Sequence, residues 1–179
     1  EISQRSIGDD APCFISAEIG INHNGDMALA HRTIDAAVDA GADGVKFQNY
    51  RTEDFINNRS LTYKYWSQGK RVVEPQFAMF KRYELQRDQL AELKSHCRER
   101  GVVFHSTPTS EETLRDLLAL PVALLKNGSD YLTHLPLIRA MGETGLPTLL
   151  STGMANETEV AEAVAAFRET GNEQLVLLH

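Results

Sequence analysis

Cysteine is scarce: Cys13 and Cys97 are the only two in 179 residues. Their spacing matches no metal motif and cannot build a disulfide framework, so both read as reduced, structural thiols. No apolar run is long enough to cross a bilayer. The stretch from Glu1 to Pro12 is polar and lacks the apolar centre of a signal peptide. Together these absences point to a cytoplasmic chain with no membrane partner. Positive charge is also in short supply, with 18 Lys and Arg against 25 Asp and Glu, a net charge of −7. That balance argues against nucleic acid or an anionic membrane as the main partner, while leaving room for a local basic pocket. The charged segment from Lys81 to Arg87 holds too few bases to argue otherwise. There is no low-complexity tract, no internal linker and no Gly-rich dinucleotide fingerprint after the first strand. What remains is an ordinary globular composition, 42% hydrophobic and 24% charged, sufficient for one sizeable core.

The pattern alternates strand and helix. Strands are expected at Cys13 to Ala17, Gly44 to Gln48, Val102 to Ser106, Val122 to Leu125, Thr148 to Leu150 and Leu175 to Leu178. Helices are expected at Met27 to Ala40, in part of Gln76 to Leu85, and at Arg87 to Arg100, Glu111 to Leu118, Leu135 to Glu143 and Glu157 to Thr170. Asp26 and Ser110 are the expected N-caps, and Gly41 and Gly101 the stops. Asn49 to Pro75 breaks the rhythm with a long polar stretch carrying aromatics, which reads as an ordered excursion with a short helix. Strict alternation implies a parallel sheet with helices outside it. Polar residues at the end of each strand favour a (β/α)8 TIM barrel over an open doubly wound sheet. Six strands are legible. The expectation is therefore one barrel domain over residues 1–179, incomplete and with two open edges.

The strand-end residues carry the chemistry: Glu18, Asn22 and His23; Lys46 and Gln48; Ser106 and Thr107; Lys126 and Ser129; Ser151 and Thr152. Ligands bind at the carboxyl ends of parallel strands. Lys46 and Lys126 each follow apolar strand residues, so each is expected to point from a buried wall into a cavity. A buried ammonium needs an anionic partner. Lysines, hydroxyls and backbone amides together are the groups that hold a phosphate. An enzyme acting on a small phosphorylated, anionic substrate follows. The competing account is a purely structural Lys46–Glu18 pair, which leaves the repeat at Lys126 unexplained.

Five strings stand in order: Ala17 to Gly25, Gly41 to Gln48, Ser106 to Pro108, Gly128-Ser129, and Leu150 to Met154. Together they resemble the N-acetylneuraminate synthase family, which includes the sialic, legionaminic and pseudaminic acid synthases, from about Phe14 to His179. The resemblance implies an N-terminal (β/α)8 barrel followed by a small antifreeze-like domain. It implies condensation of phosphoenolpyruvate with an N-acetylated amino-sugar aldehyde, giving a nine-carbon 2-keto sugar acid and phosphate. It also implies a homodimer in the full-length form and a divalent metal, Mn or Mg, whose protein ligands lie beyond His179. Carried over by position, Lys46, Thr107, Lys126, Ser129 and Ser151 are phosphoenolpyruvate contacts. Glu18 is a catalytic acid or base beside the reacting carbons, with Lys46. Gln48 is a sugar contact, and Asn22 and His23 line the same loop. The sequence departs from the pattern at Asn127, at Thr109 and at Tyr131, where an acidic sugar contact is expected; Asp130 is the substitute. Two other readings compete: another phosphoenolpyruvate-condensing barrel synthase, and a catalytically silent, truncated barrel that binds anions or a partner subunit.

Other residues take plainer readings. His31, His96 and His134 read as solvated surface residues, and His105 as filler of the barrel interior. The acidic run at Glu157, Glu159 and Glu162 is a helix face, and the aromatics from Tyr63 to Trp66 pack the long loop.

Overall fold

The computed structural model describes residues 1–179 except Gln4, Asp9 and Gln68. The chain runs β1 (Ser16–Gly20), α1 (Met27–Asp39) and β2 (Gly44–Asn49). An excursion follows: α2 (Thr52–Phe55), a hairpin of β3 (Thr62–Ser67) and β4 (Lys70–Pro75), then α3 (Gln76–Tyr83) and α4 (Arg87–Arg100). The alternation then resumes with β5 (Val103–Pro108), α5 (Glu111–Leu118), β6 (Leu125–Asn127), α6 (Leu135–Glu143), β7 (Thr148–Ser151), α7 (Glu157–Arg168) and β8 (Leu175–Leu178).

All ladders outside the hairpin are parallel, β1-β2-β5 and β6-β7-β8, and β5 lies beside β6. The expected α/β order is thus present, as a partial, barrel-like wall. Period-two alternation sorts its faces. On β2, Val45 and Phe47 turn outward and join Ile34 of α1 and Leu90, Leu93 and Cys97 of α4 in the largest apolar cluster. Lys46 and Gln48 take the opposite face. A second cluster seats Phe167 and Ala163 of α7 on Leu150. The third joins Ile2, Leu124 and Leu149 to Phe14, Val103 and Val176. It draws on β5, β7, β8 and the segment before β1, so the wall wraps around it and its interior is apolar at that end. The caps are local: the Leu29 amide donates to Asp26 Oδ1 (3.1 Å), and Ser110 and Asn156 accept similarly for α5 and α7.

Several boundaries differ from the sequence expectation. β1 begins at Ser16, not Cys13, because the Ile15 amide is taken by the Asp43 carboxylate (2.8 Å) and ladder pairing starts one residue later. Glu18 is therefore inside the strand. β6 begins at Leu125, not Val122, where the Leu125 amide donates to Pro147 O (2.9 Å). β5 runs on to Pro108 because Thr107 and Pro108 pair with Gln48 and Asn49. The long excursion holds the expected short helix and also a hairpin that was not expected. Cys97 is buried as expected, but Cys13 is exposed.

Candidate active site

The wall strands deliver the polar side chains to one cavity. Its volume is about 330 Å³, and it is lined by Glu18, Lys46, Gln48, Thr107, Lys126, Ser129, Asp130 and Ser151. Eight of the ten residues singled out for ligand binding are thus brought together. Asn22 and His23 are not. Asn22 is exposed. His23 is fully buried on the helix side of the wall beside Phe47, with ring centroids 6.1 Å apart. Its Nδ1 accepts the Gly25 amide (3.1 Å), which leaves the proton on Nε2, and burial lowers its pKa.

Both lysines reach the cavity from inside the wall. Lys46 is almost wholly buried and its Nζ lies 2.8 Å from Glu18 Oε1, whose side chain is 56% exposed. The structural pairing considered above is therefore real, but it lines the cavity rather than competing with it. Among the described residues Lys126 has no such carboxylate within ion-pair distance, and it donates to Ser151 Oγ (2.9 Å). Its pKa is lowered, first by burial and then by the charge of Lys46, with Glu18 and Asp130 opposing. Two ammonium groups, one buried and one half-buried, thus share the floor with two solvent-exposed acids, Glu18 and Asp130. Burial of an ion costs several kcal/mol, and solvent weakens an exposed partner's repayment. The arrangement favours an added anion. Thr107 Oγ1 is buried there without a hydrogen-bond partner among the described residues, a further open group for such a ligand.

Two strand-end hydroxyls serve the scaffold instead. Ser106 donates to Asn49 Oδ1 (2.9 Å), and Asn49 Nδ2 donates to Thr113 O (2.7 Å), locking β2, β5 and α5 together. Thr152 donates to Leu178 O (3.1 Å) and meets His179 Nδ1 (2.8 Å), joining β7 to the end of β8.

The opposite cavity wall escaped the sequence reading. Tyr50, Phe55 and Phe80 pack edge to face, at 5.1 to 5.7 Å between centroids. Tyr50 also donates to Phe80 O (2.9 Å), and Thr109 and Tyr131 complete this side. The signal was present as aromatics after β2, but their convergence is a long-range contact.

Among the described residues no three His, Cys, Asp or Glu side chains converge as metal ligands. These residues do not by themselves fit the divalent metal implied by the resemblance, and no step is routed through one. His31 and His96 are half-buried rather than fully solvated: they stack at 4.4 Å between α1 and α4, and His96 binds Asp35 (2.9 Å). His134 is exposed but caps α6 by accepting the Leu137 amide (3.1 Å).

The model of the NeuB family matches residues 33–179. The chain belongs to the NeuB family. Among its relatives, the spore coat polysaccharide biosynthesis protein SpsE of Bacillus subtilis is 35% identical over all of this chain and 47% of its own length. The N,N'-diacetyllegionaminic acid synthase of Legionella pneumophila is 34% identical over 96% of this chain and 49% of its own. A crystal structure of a sialic acid synthetase from Leptospira borgpetersenii superposes with a TM-score of 0.88 at 31% identity, covering all of this chain and 57% of that one. The NeuB chain thus spans about half the length of the curated relatives it matches. No helix among the described residues is long and apolar enough to cross a membrane.

Proposed function

We propose that this chain forms the phosphoenolpyruvate-holding part of a (β/α)8 synthase. That enzyme condenses phosphoenolpyruvate with an N-acetylated amino-sugar aldehyde to give a nine-carbon 2-keto sugar acid and phosphate. The observation that carries the reading is the pair of ammonium groups, buried Lys46 and half-buried Lys126, in one cavity whose two carboxylates, Glu18 and Asp130, are both exposed to solvent. A ligand with a phosphate and a carboxylate matches two such cations. The hydroxyls of Thr107, Ser129 and Ser151 complete the anion's hydrogen bonds. Gln48 and Asp130 take the sugar's polar groups, and the aromatic side suits its acetyl methyl. In the reaction, C3 of phosphoenolpyruvate attacks the aldehyde carbon, water adds at C2 and phosphate departs. Glu18 hydrogen-bonds to Lys46 at this point and holds or moves a proton on the water or the new alkoxide. The relatives named as sugar-acid synthases support this assignment. Closure of the wall by further strands, homodimer formation and a cytoplasmic setting belong to the same proposal.

The test is phosphate release from phosphoenolpyruvate with Mn²⁺ and a panel of N-acetylated hexosamines, on this chain and on the full reading frame that encodes it. Sugar-dependent release is expected from the full frame. Release from neither would overturn the synthase reading in favour of a silent, anion-binding barrel.

A further inference from the structure

Two buried hydroxyls line the cavity without a partner. Thr107 and Thr109 both belong to its lining, and among the described residues neither Oγ1 has a hydrogen-bond partner. Thr107 pairs with Gln48 in the β2–β5 ladder, whereas Thr109 follows two residues later, up to about 7 Å farther along the chain. The Thr109 backbone is fixed there, because its amide donates to Thr113 Oγ1 (3.0 Å) in the first turn of α5. A buried hydroxyl left open is costly unless a ligand completes it.

Tyr131 supplies the other hydroxyl of this side. It ends the 3₁₀ turn Ser129–Tyr131, its amide donates to Gly128 O (3.0 Å), and its ring packs against the largest apolar cluster. Its phenol faces the Thr109 hydroxyl in the cavity lining. Burial first, and then the charge of Asp130, raise its pKa, so the phenol keeps its proton and can donate. The charges that reach this pair are those of Asp130 and Asp54, both acids, while the cations Lys46 and Lys126 belong to the floor. Tyr50, Phe55 and Phe80 form an apolar wall in the same cavity. The group that fits here is therefore neutral, accepts two hydrogen bonds and carries an apolar end.

We propose that Thr109 and Tyr131 are specificity-determining residues whose hydroxyls donate together to one carbonyl oxygen, that of the acceptor sugar's acylamido group. An amide oxygen has two lone pairs and takes two such donors, and its methyl lies against Tyr50, Phe55 and Phe80. A sugar hydroxyl in that place leaves the apolar wall against water, and a carboxylate or phosphate meets the field of Asp130 and Asp54. An acceptor without the carbonyl is rejected because the hydroxyl pair then stays unsatisfied. This rests on the reading of the cavity as a synthase site and adds which groups choose the acceptor. Both positions depart from the pattern of the resemblance, so the selectivity belongs to this chain rather than to the family at large.

The experiment is phosphate-release kinetics on the product of the full reading frame, with Mn²⁺ and phosphoenolpyruvate. The acceptors are the best N-acetylhexosamine of the panel and the free hexosamine and hexose of the same configuration. Thr109→Val and Tyr131→Phe are each expected to raise the KM of the acetylated acceptor about five- to tenfold and to leave the KM of phosphoenolpyruvate unchanged. The preference for the acetylated acceptor over the hexose falls by the same factor, and Thr109→Ser, which keeps the hydroxyl, retains it. A merely structural role would instead slow all acceptors alike and disturb phosphoenolpyruvate as well. An unchanged acceptor KM in folded Thr109→Val and Tyr131→Phe overturns the proposal and leaves the synthase reading standing. Equal use of the three acceptors by the wild type does the same. No sugar-dependent release by the wild type overturns both. Should Thr109→Val fail to fold, Tyr131→Phe, which removes one oxygen from a half-buried ring, decides alone.

Discussion

A single half-buried charge shows how function and stability oppose each other here. Lys126 is held in the wall with a hydroxyl as its direct partner, and burial and Lys46 both act against its charge. Its ammonium form is therefore a burden on the empty protein. Replacing such a group with an apolar one of similar length often stabilises by about 1–4 kcal/mol, whereas losing a buried charged contact costs a ligand about 2–5 kcal/mol. Lys126→Met is thus expected to raise the resistance of the chain to urea by about 1 kcal/mol while weakening phosphoenolpyruvate binding at least about thirtyfold. Parallel urea titrations and calorimetry on the two proteins check both signs. A Lys126→Met protein that is less stable and binds as before would show that the lysine is structural.

At the scale of elements, the sites are made where loops after different strands touch. The turn after β7 brings Gly153 against Ser129, which follows β6. Gly153 has φ +52°, and a Cβ there would overlap the Ser129 side chain. Gly153→Ala therefore meets two obstacles, the left-handed backbone and the serine, and is expected to cost about 1–3 kcal/mol of stability and to weaken anion binding by displacing the Ser129 hydroxyl. Adding Ser129→Gly should return part of the stability and none of the binding, which urea melts and binding titrations on the double variant would show. The sequence carried much of this scale. Apolar strands followed by Lys46, Thr107, Lys126 and Ser151 were enough to place those side chains at one cavity, because strand direction and period-two alternation decide where they point. What it did not carry was pairing. Whether β1 starts at Cys13 or Ser16 depends on Asp43 capturing the Ile15 amide. The β3–β4 hairpin was hidden by its polarity, although Tyr63, Tyr65, Val72 and Val73 are good strand formers. His23 shared a polar loop with site residues, yet it turned to the helix side, where Phe47 packs.

For the whole molecule, acid should unfold the chain in two stages with different chemistry. His23 and His105 are buried and neutral, and their native pKa values lie below the ordinary histidine value, that of His105 at about 3. A base with a depressed native pKa binds protons first in the unfolded chain. Stability therefore begins to fall as pH drops through about 6.5, and continues until the native pKa is reached. One such proton contributes a slope of about 1.4 kcal/mol per pH unit. Carboxylates act later. The Ile15 amide, ahead of the Arg5 guanidinium, holds Asp43 below the usual range, and Arg82 and Tyr65 do the same for Glu74. Their contribution is complete above about pH 5 and disappears as pH falls through their lowered native values. General charge repulsion does not explain an early fall, because a net charge of −7 moves toward zero on mild acidification. Urea midpoints measured between about pH 7 and about pH 5 should therefore decline in the wild type and decline less in His105→Gln, with Asp43→Asn changing only the region below. An equal decline in wild type and His105→Gln would mean that the interior histidine is already protonated in the folded protein.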